Sequence, residues 1–284
     1  IYIDHIYWMS TVTIGPNNII AENYRDGIKV EYVNGSLNIV GNNIGAWDFD
    51  LTDGAGWVDG NQHDGIDIYS TRPGSSVVIR DNQISGNCGG GGDGIEMQWV
   101  DGPVSILNNI IGAWTYYEGN LSQGFYGNYG DGIEIEDVDS TVVIDGNKIA
   151  ENGDGGGDGI YIENIESDDT LVGNVTISNN YVGEWTDGNF TYSGNSNLGI
   201  YVGWVSSGCT LTIGPDNTIV DNGWMGIYLD SADYDADVTI FGNTILRNGT
   251  EYIGIYLDDA EDVTIDGNVI SGHQYGIYLY SSAY

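Results

Sequence analysis

The chain has 284 residues, with 6 Lys+Arg against 42 Asp+Glu and a formal charge of -36. Nucleic acid and anionic membrane both need a basic footprint, so this balance excludes them as partners. The acidity does not read as disorder, because 40% of residues are hydrophobic and they recur regularly, and no run of about 18 apolar residues offers a membrane span.

In chain order, the first predicted strand is Val12-Thr13-Ile14, followed by Asn18 with Ile20 two places on, then Gly27-Ile28-Lys29-Val30. The same order returns with Asn42 and Gly65-Ile66-Asp67-Ile68, Asn82 and Gly94-Ile95-Glu96-Met97, and Asn109 and Gly132-Ile133-Glu134-Ile135. It continues with Asn147 and Gly159-Ile160, Asn180 and Gly199-Ile200, Asn217 and Gly226-Ile227, Asn243 and Gly254-Ile255, and Asn268 and Gly276-Ile277. Between each Gly-Ile and the next Asn lies a second strand, such as Val77-Val78-Ile79, Val142-Val143-Ile144, Val238-Thr239-Ile240 or Val263-Thr264-Ile265. Alternation with β-branched enrichment marks short strands buried on one face. No single repeat could bury its own apolar residues, whereas stacking at about 4.8 Å buries one continuous core. The expectation is an all-β solenoid of about nine coils, one domain over 1–284 or a fragment of a longer chain, since the start Ile1-Tyr2-Ile3 is neither an initiator Met nor a signal peptide. The Asn column (Asn18, Asn42, Asn82, Asn109, Asn147, Asn180, Asn217, Asn243, Asn268) is expected at turns in left-handed geometry, each amide bonding the Asn above and below.

The fuller order Asn-x-Ile-x-x-Asn…Gly-Ile-x-Ile is clear in Asp81-Asn82-Gln83-Ile84-Ser85-Gly86-Asn87 and in Ile219 through Ile227. It resembles the repeat of right-handed parallel β-helices found in surface proteins and in the carbohydrate-binding and sugar-hydrolase β-helix group, over essentially the whole chain. The resemblance implies a right-handed single-stranded parallel β-helix. It assigns no activity, because many unrelated functions use that scaffold.

A longer period runs beneath the short one: Gly27 to Gly94, Gly65 to Gly132, Gly132 to Gly199 and Gly159 to Gly226 each span 67 residues. The duplicated unit is therefore a pair of coils, one short and one with an insertion at 45–64, 112–131 or 183–198. The insertions open alike, with Gly45-Ala46-Trp47, Gly112-Ala113-Trp114 and Gly183-Glu184-Trp185, and should leave one side of the helix about 10 Å apart. Trp47, Trp114 and Trp185 are candidate contacts for a glycan or a protein partner.

The residue between the two buried positions of each Gly-Ile strand is expected to face outward. The acidic part of this column is Asp67, Glu96 and Glu134; the tyrosine part is Tyr161, Tyr201, Tyr228, Tyr256 and Tyr278. The tyrosines form an aromatic stripe suited to sugar rings or to another subunit. Asp64, Asp93 and Asp131 precede the glycines, and Glu136 and Glu163 follow. Together with Asp67, Glu96 and Glu134 they offer the hard oxygens Ca²⁺ prefers, although no calcium-loop spacing is present.

His63-Asp64-Gly65-Ile66-Asp67-Ile68 resembles the Asp-Gly-Ile-Asp segment of polygalacturonases. The family's adjacent aspartates, Gly-His-Gly and Arg-x-Lys are missing, and the only histidines are His5, His63 and His273. The basic residues Arg25, Lys29, Arg72, Arg80, Lys148 and Arg247 show no cluster for lyase chemistry. The chain is read as no enzyme; Asp64, Asp67 and Asp93 would carry the opposite reading.

Five Asn-x-Ser/Thr sequons, at Asn34, Asn120, Asn174, Asn189 and Asn248, fit a glycosylated surface protein. Cys88 and Cys209 lie several repeats apart and are expected to stay unbonded. Neither end shows a capping helix, which leaves strand edges that invite pairing. The leading expectation is an extracellular or cell-surface structural protein, self-associating or joined to other surface proteins in a layer, sheath, filament or adhesin. The alternatives are a carbohydrate-binding module using the tyrosine stripe, and a polysaccharide hydrolase or lyase.

Overall fold

The computed structural model describes residues 1–45, 60–87, 91–112, 127–153, 155–167, 170–186, 191–249 and 252–280. Trp47, Trp114, Asn120, Asn189 and Cys88 lie outside them. Among the described residues there is no helix, and the strands fall into three parallel sheets of ten, nine and nine, plus one antiparallel pair, Trp185–Thr186 with Thr191–Tyr192. This is a parallel β-helix. One coil runs through Ile133–Ile135 in the first sheet, Thr141–Asp145 in the second and Lys148–Ala150 in the third, then returns to the first sheet as Ile160–Ile165.

The period-two pattern sets the register. Ile66 pairs with Ile95, Ile95 with Ile133, Ile133 with Ile160 and Ile160 with Ile200, so this buried column is isoleucine stacked on itself, while the column two places on mixes Ile68, Met97, Ile135, Ile162 and Val202. In the coil above, Ile133, Ile135, Val142, Ile144 and Ile149 are all 0% exposed. Burial is worth roughly 1.5–3 kcal/mol for each such side chain. The columns merge into one core that extends from Ile6 to Leu257. Cys209 is a free thiol buried within it.

The Asn column forms a ladder at the turn between the second and third sheets. Asn147 donates Nδ2 to Asn180 Oδ1 at 3.0 Å and to Ile106 O at 2.8 Å, and its backbone N–H goes to the same Asn180 oxygen at 2.9 Å. Asn109, Asn82, Asn180 and Asn243 repeat this pattern. The left-handed residue is not the ladder Asn but the one before it. Asn17, Gly41, Asp81, Asn108, Gly146, Asn179, Asp216, Gly242 and Gly267 all have φ between 53° and 70°. The preceding residue makes the turn and frees the Asn to aim its amide along the helix axis.

A second ladder holds the turn between the third sheet and the first. Asn23, Asn61, Asn87, Asn128, Asn152, Asn195, Asn222 and Asn248 pass side-chain hydrogen bonds from coil to coil at 2.7–2.9 Å. It ends on His273, whose Nε2 accepts from the Asn248 backbone N–H at 3.1 Å. This ladder explains the glycine of Gly-Ile. A Cβ on Gly94 would lie 2.5 Å from Gly132 O, 2.6 Å from Ile111 Cγ2 and 2.8 Å from Asn128 Nδ2.

Candidate functional site

The first sheet places the outward column in unbroken register. Lys29 pairs with Asp67, Asp67 with Glu96, Glu96 with Glu134 and Glu134 with Tyr161. Tyr161 pairs with Tyr201, then Tyr228, Tyr256 and Tyr278 follow. Acidic and aromatic segments thus form one continuous track. Asp67 is buried rather than outward-exposed, because Lys29 lies across it in an ion pair.

The aspartates before the glycines form a parallel column that binds the next coil. Asp64 Oδ1 accepts the Asp93 N–H at 2.9 Å, Asp93 Oδ1 the Asp131 N–H at 2.5 Å, and Asp158 Oδ1 the Leu198 N–H at 2.8 Å. Asp131 accepts the Asp158 N–H in the same way. One carboxylate oxygen of each therefore serves the backbone.

The two columns bring Asp26, Asp64 and Asp67, then Asp64, Asp93 and Glu96, then Asp93, Asp131 and Glu134, into groups whose oxygens lie within 4.8 Å of one another. Glu136 and Glu163 stand outside these groups. Burial first, and neighbouring carboxylates second, push the Asp131 carboxyl up to about 7. Asp158 is likewise raised to about 7, chiefly by burial. Asp93 and Glu96 rise further in the same direction, Asp93 through burial and Glu134, Glu96 through burial and Asp64. Within these groups Asp93 shares a hydrogen bond with Glu134, and Glu96 with Asp64, beside the backbone N–H that each aspartate accepts. Lys29 supplies a cation to the Asp26–Asp64–Asp67 group alone.

The tyrosine stripe is partly satisfied by itself. Tyr161 and Tyr201 stack at 4.8 Å, as do Tyr256 and Tyr278 at 5.5 Å. Tyr228 is turned edge-on to both neighbours, at 79° and 78°. Its hydroxyl donates to Asp230 Oδ1 at 2.8 Å. The stripe consequently presents ring edges and hydroxyl–carboxylate pairs rather than a flat platform.

The remaining sequence candidates are dispersed. Trp185 is not on the track: it stacks on Tyr192 at 4.3 Å on the third-sheet flank. Asn34 and Asn174 are half-buried. Asn248 is 0% exposed inside the second ladder, so its sequon is structural and the expectation of a glycan there is corrected. Lys148 and Arg247, read from sequence as scattered, line one pocket. The second ladder was written in the chain as an Asn five places after the first in Asn82/Asn87, Asn147/Asn152, Asn217/Asn222 and Asn243/Asn248. In the long coils the insertion falls between the two and hides the spacing.

Comparisons with known proteins agree with the architecture. No curated protein matches the chain. Among solved structures, a mutant of the periplasmic alginate epimerase AlgG is 14% identical with a TM-score of 0.51, covering 96% of this chain and 64% of that one. The Dettilon tailspike protein is 16% identical with a TM-score of 0.47, covering 95% of this chain and 61% of that one. The chain spans less than two thirds of the length of either, and at these identities the likeness is one of fold. The family model described as periplasmic copper-binding protein (NosD) matches residues 143–284, half of the chain, and the chain belongs to the NosD family.

Proposed function

We propose that the protein is a non-catalytic polysaccharide-binding β-helix acting outside the cytoplasm, with the first-sheet track as its binding face. The observation that carries this reading is the register of Tyr161, Tyr201, Tyr228, Tyr256 and Tyr278. Strands about 4.8 Å apart give a periodic edge along which an extended glycan can lie. Tyr228 with Asp230, and Tyr256 with Asp258, supply donor and acceptor side by side for sugar hydroxyls. Of the hydrolytic candidates Asp64, Asp67 and Asp93, Asp64 and Asp93 each give an oxygen to the next coil's backbone and Asp67 is in an ion pair with Lys29, which does not support a hydrolytic pair. The family name, with its periplasmic term, supports a location outside the cytoplasm.

The family name also carries copper, which takes imidazole, thiolate and thioether donors. Among the described residues no His or Cys joins a metal-competent group: Met97 and Cys209 are 0% and Met225 is 7% exposed, His273 serves the second ladder, His5 sits against Asp4, and the exposed His63 belongs to no such group. The metal-competent groups among the described residues are all carboxylate. These residues do not fit copper; they fit a hard cation such as Ca²⁺ at Asp64/Asp93/Glu96 and Asp93/Asp131/Glu134.

Glycan-array binding tests the reading. Tyr201→Ala and Tyr228→Ala should each cut affinity about tenfold or more; binding that survives both changes, or no binding by the parent protein, overturns it. A second reading, assembly into a surface layer or filament, is favoured by the same carboxylates, since a divalent cation could bridge copies. Sedimentation with and without Ca²⁺ separates them: cation-dependent polymers support assembly, and monomers in both conditions eliminate it.

A further inference from the structure

The third sheet carries a pocket of about 360 Å³ lined by Lys148, Tyr181, Glu184, Trp185, Thr186 and Arg247. Its volume falls near the lower end of the roughly 300–1,000 Å³ typical of small-molecule sites. It lies on a different sheet from the tyrosine and carboxylate columns and does not depend on the reading given to them. We propose that this pocket binds a single acidic sugar residue through its carboxylate.

The third insertion builds the pocket. Gly183 takes φ 119° as the chain leaves the sheet, and a Cβ there would lie 1.8 Å from Val220 O. The chain then folds back as the pair Trp185–Thr186 and Thr191–Tyr192. Trp185 packs on Tyr192 and Ala150, and Lys148 lays its Nζ 4.2 Å from the Trp185 ring centroid. Arg247 enters from the left-handed turn residue before Asn248, with φ 53°. At the register position of Lys148, the coils beneath the other two insertions carry Ile19 and Gln83. The cation is a property of the third insertion alone.

Two observations point to an anion. In a chain with 42 acidic and 6 basic residues, a cation ordinarily finds a carboxylate. Lys29, Arg72, Arg80 and Arg247 each do so, and Arg25 lies exposed in solvent. Among the described residues Lys148 has only the Trp185 ring. Independently, the Trp185 Nε1–H is buried with no acceptor among the described residues, on a residue only 8% exposed. Buried indole N–H groups are normally paired. A ligand carboxylate between Lys148 and Arg247 would neutralise the one and hydrogen-bond the other. Arg247 gives Asp221 its Nε and Nη2 and has further donors on the fork. Glu184 and the Thr186 and Tyr181 hydroxyls supply partners for sugar hydroxyls. Glu184 also works against a polyacidic peptide, which would bring several charges where one is accommodated.

Isothermal titration with trigalacturonate, maltotriose and triglutamate tests the proposal. Trigalacturonate should bind the parent protein and weaken as salt rises. Lys148→Met and Arg247→Gln should each reduce its affinity about tenfold, and Trp185→Phe, which keeps an aromatic face and removes the N–H, several-fold, with thermal midpoints near the parent's. Arg80→Gln, which removes a cation ion-paired with Asp81 outside the pocket, should leave this binding intact. Undiminished trigalacturonate binding in Lys148→Met and Trp185→Phe overturns the proposal. So does equal, variant-sensitive binding of triglutamate or maltotriose, or no trigalacturonate binding by the parent protein.

Discussion

Asn222 gives Asn248 Oδ1 both its side-chain amide, at 2.9 Å, and its backbone N–H, at 3.0 Å. Asn248 in turn spends its own amide on Ile219 O at 3.1 Å, so nothing of it is left for solvent. The two side chains are links in the ladder that holds the turn before every Gly-Ile strand.

Removing one link should be felt across three coils. Asn222→Ala takes the acceptor from the Asn195 backbone N–H and from one of its two amide donors, and the amide donor from the Val182 carbonyl, while Asn248 Oδ1 keeps the residue-222 backbone N–H. Each buried orphan costs about 1–3 kcal/mol. At about 2–4 °C per kcal/mol for a chain of this order, the thermal midpoint should drop by at least about 5 °C. Mass spectrometry of material from a glycosylating host should find the Asn248 peptide unmodified. A wild-type midpoint in Asn222→Ala, or glycan on Asn248, would contradict the ladder.

Glycine contrasts test the packing between coils. Gly94→Ala places a methyl under 3 Å from Ile111 Cγ2, Asn128 Nδ2 and Gly132 O, so it should destabilise by more than the roughly 1–3 kcal/mol of ordinary overpacking. Gly74 has φ 83° with nothing within 4 Å of an added Cβ. Gly74→Ala should therefore cost only the backbone strain of about 1–2 kcal/mol. Urea unfolding of both variants gives the comparison, and equal midpoints would refute it.

His273 stands where the second ladder would have another Asn. Its Nε2 accepts the Asn248 N–H, its Nδ1 is buried without a partner, and burial lowers its pKa. A folded pKa below the unfolded value means stability present above about pH 6.5 and lost as pH falls through the folded value. Protonated Nε2 can no longer accept. His273→Asn should raise the thermal midpoint at pH 5 more than at pH 8; parallel shifts at both would show that the ring does not titrate in place.

The buried letters of the repeat made the fold readable. Ile28, Ile66 and Ile95 alternate with polar residues at period two, and each has only one way to face a core. The first ladder was readable because its Asn follows the last Ile of the second strand by three or four residues in every coil, with no insertion between them. The second was legible only in the short coils, as the closing Asn of Asn-x-Ile-x-x-Asn, because insertions of unequal length separate Asn42 from Asn61 and Asn180 from Asn195. The acidic groups were foreseeable from spacing, since register puts Asp64, Asp93 and Glu96 on neighbouring strands. The Lys148–Arg247 pocket was invisible: its members come from three coils and a folded-back insertion, and no linear spacing encodes that approach.

The carboxylate column predicts a pH dependence of opposite sign to that of His273. Asp131 and Asp158 have folded pKa values near 7 against an ordinary 3.8, because burial and neighbouring acids favour the protonated form. A raised folded pKa means the native state binds more protons than the unfolded chain. The contribution is then fully present below about pH 4 and is lost as pH rises through 7. In chelator the thermal midpoint should therefore fall between pH 4 and pH 8, with the several raised carboxyls outweighing one histidine. Millimolar Ca²⁺ should restore the midpoint at pH 8 and do little at pH 4, where the oxygens are protonated. Asp93→Asn should weaken that rescue, because Asp93 belongs to both groups that lack a lysine. A midpoint flat from pH 4 to 8 would refute the shared-proton account. A pH-dependent midpoint indifferent to Ca²⁺ would keep that account and remove the cation.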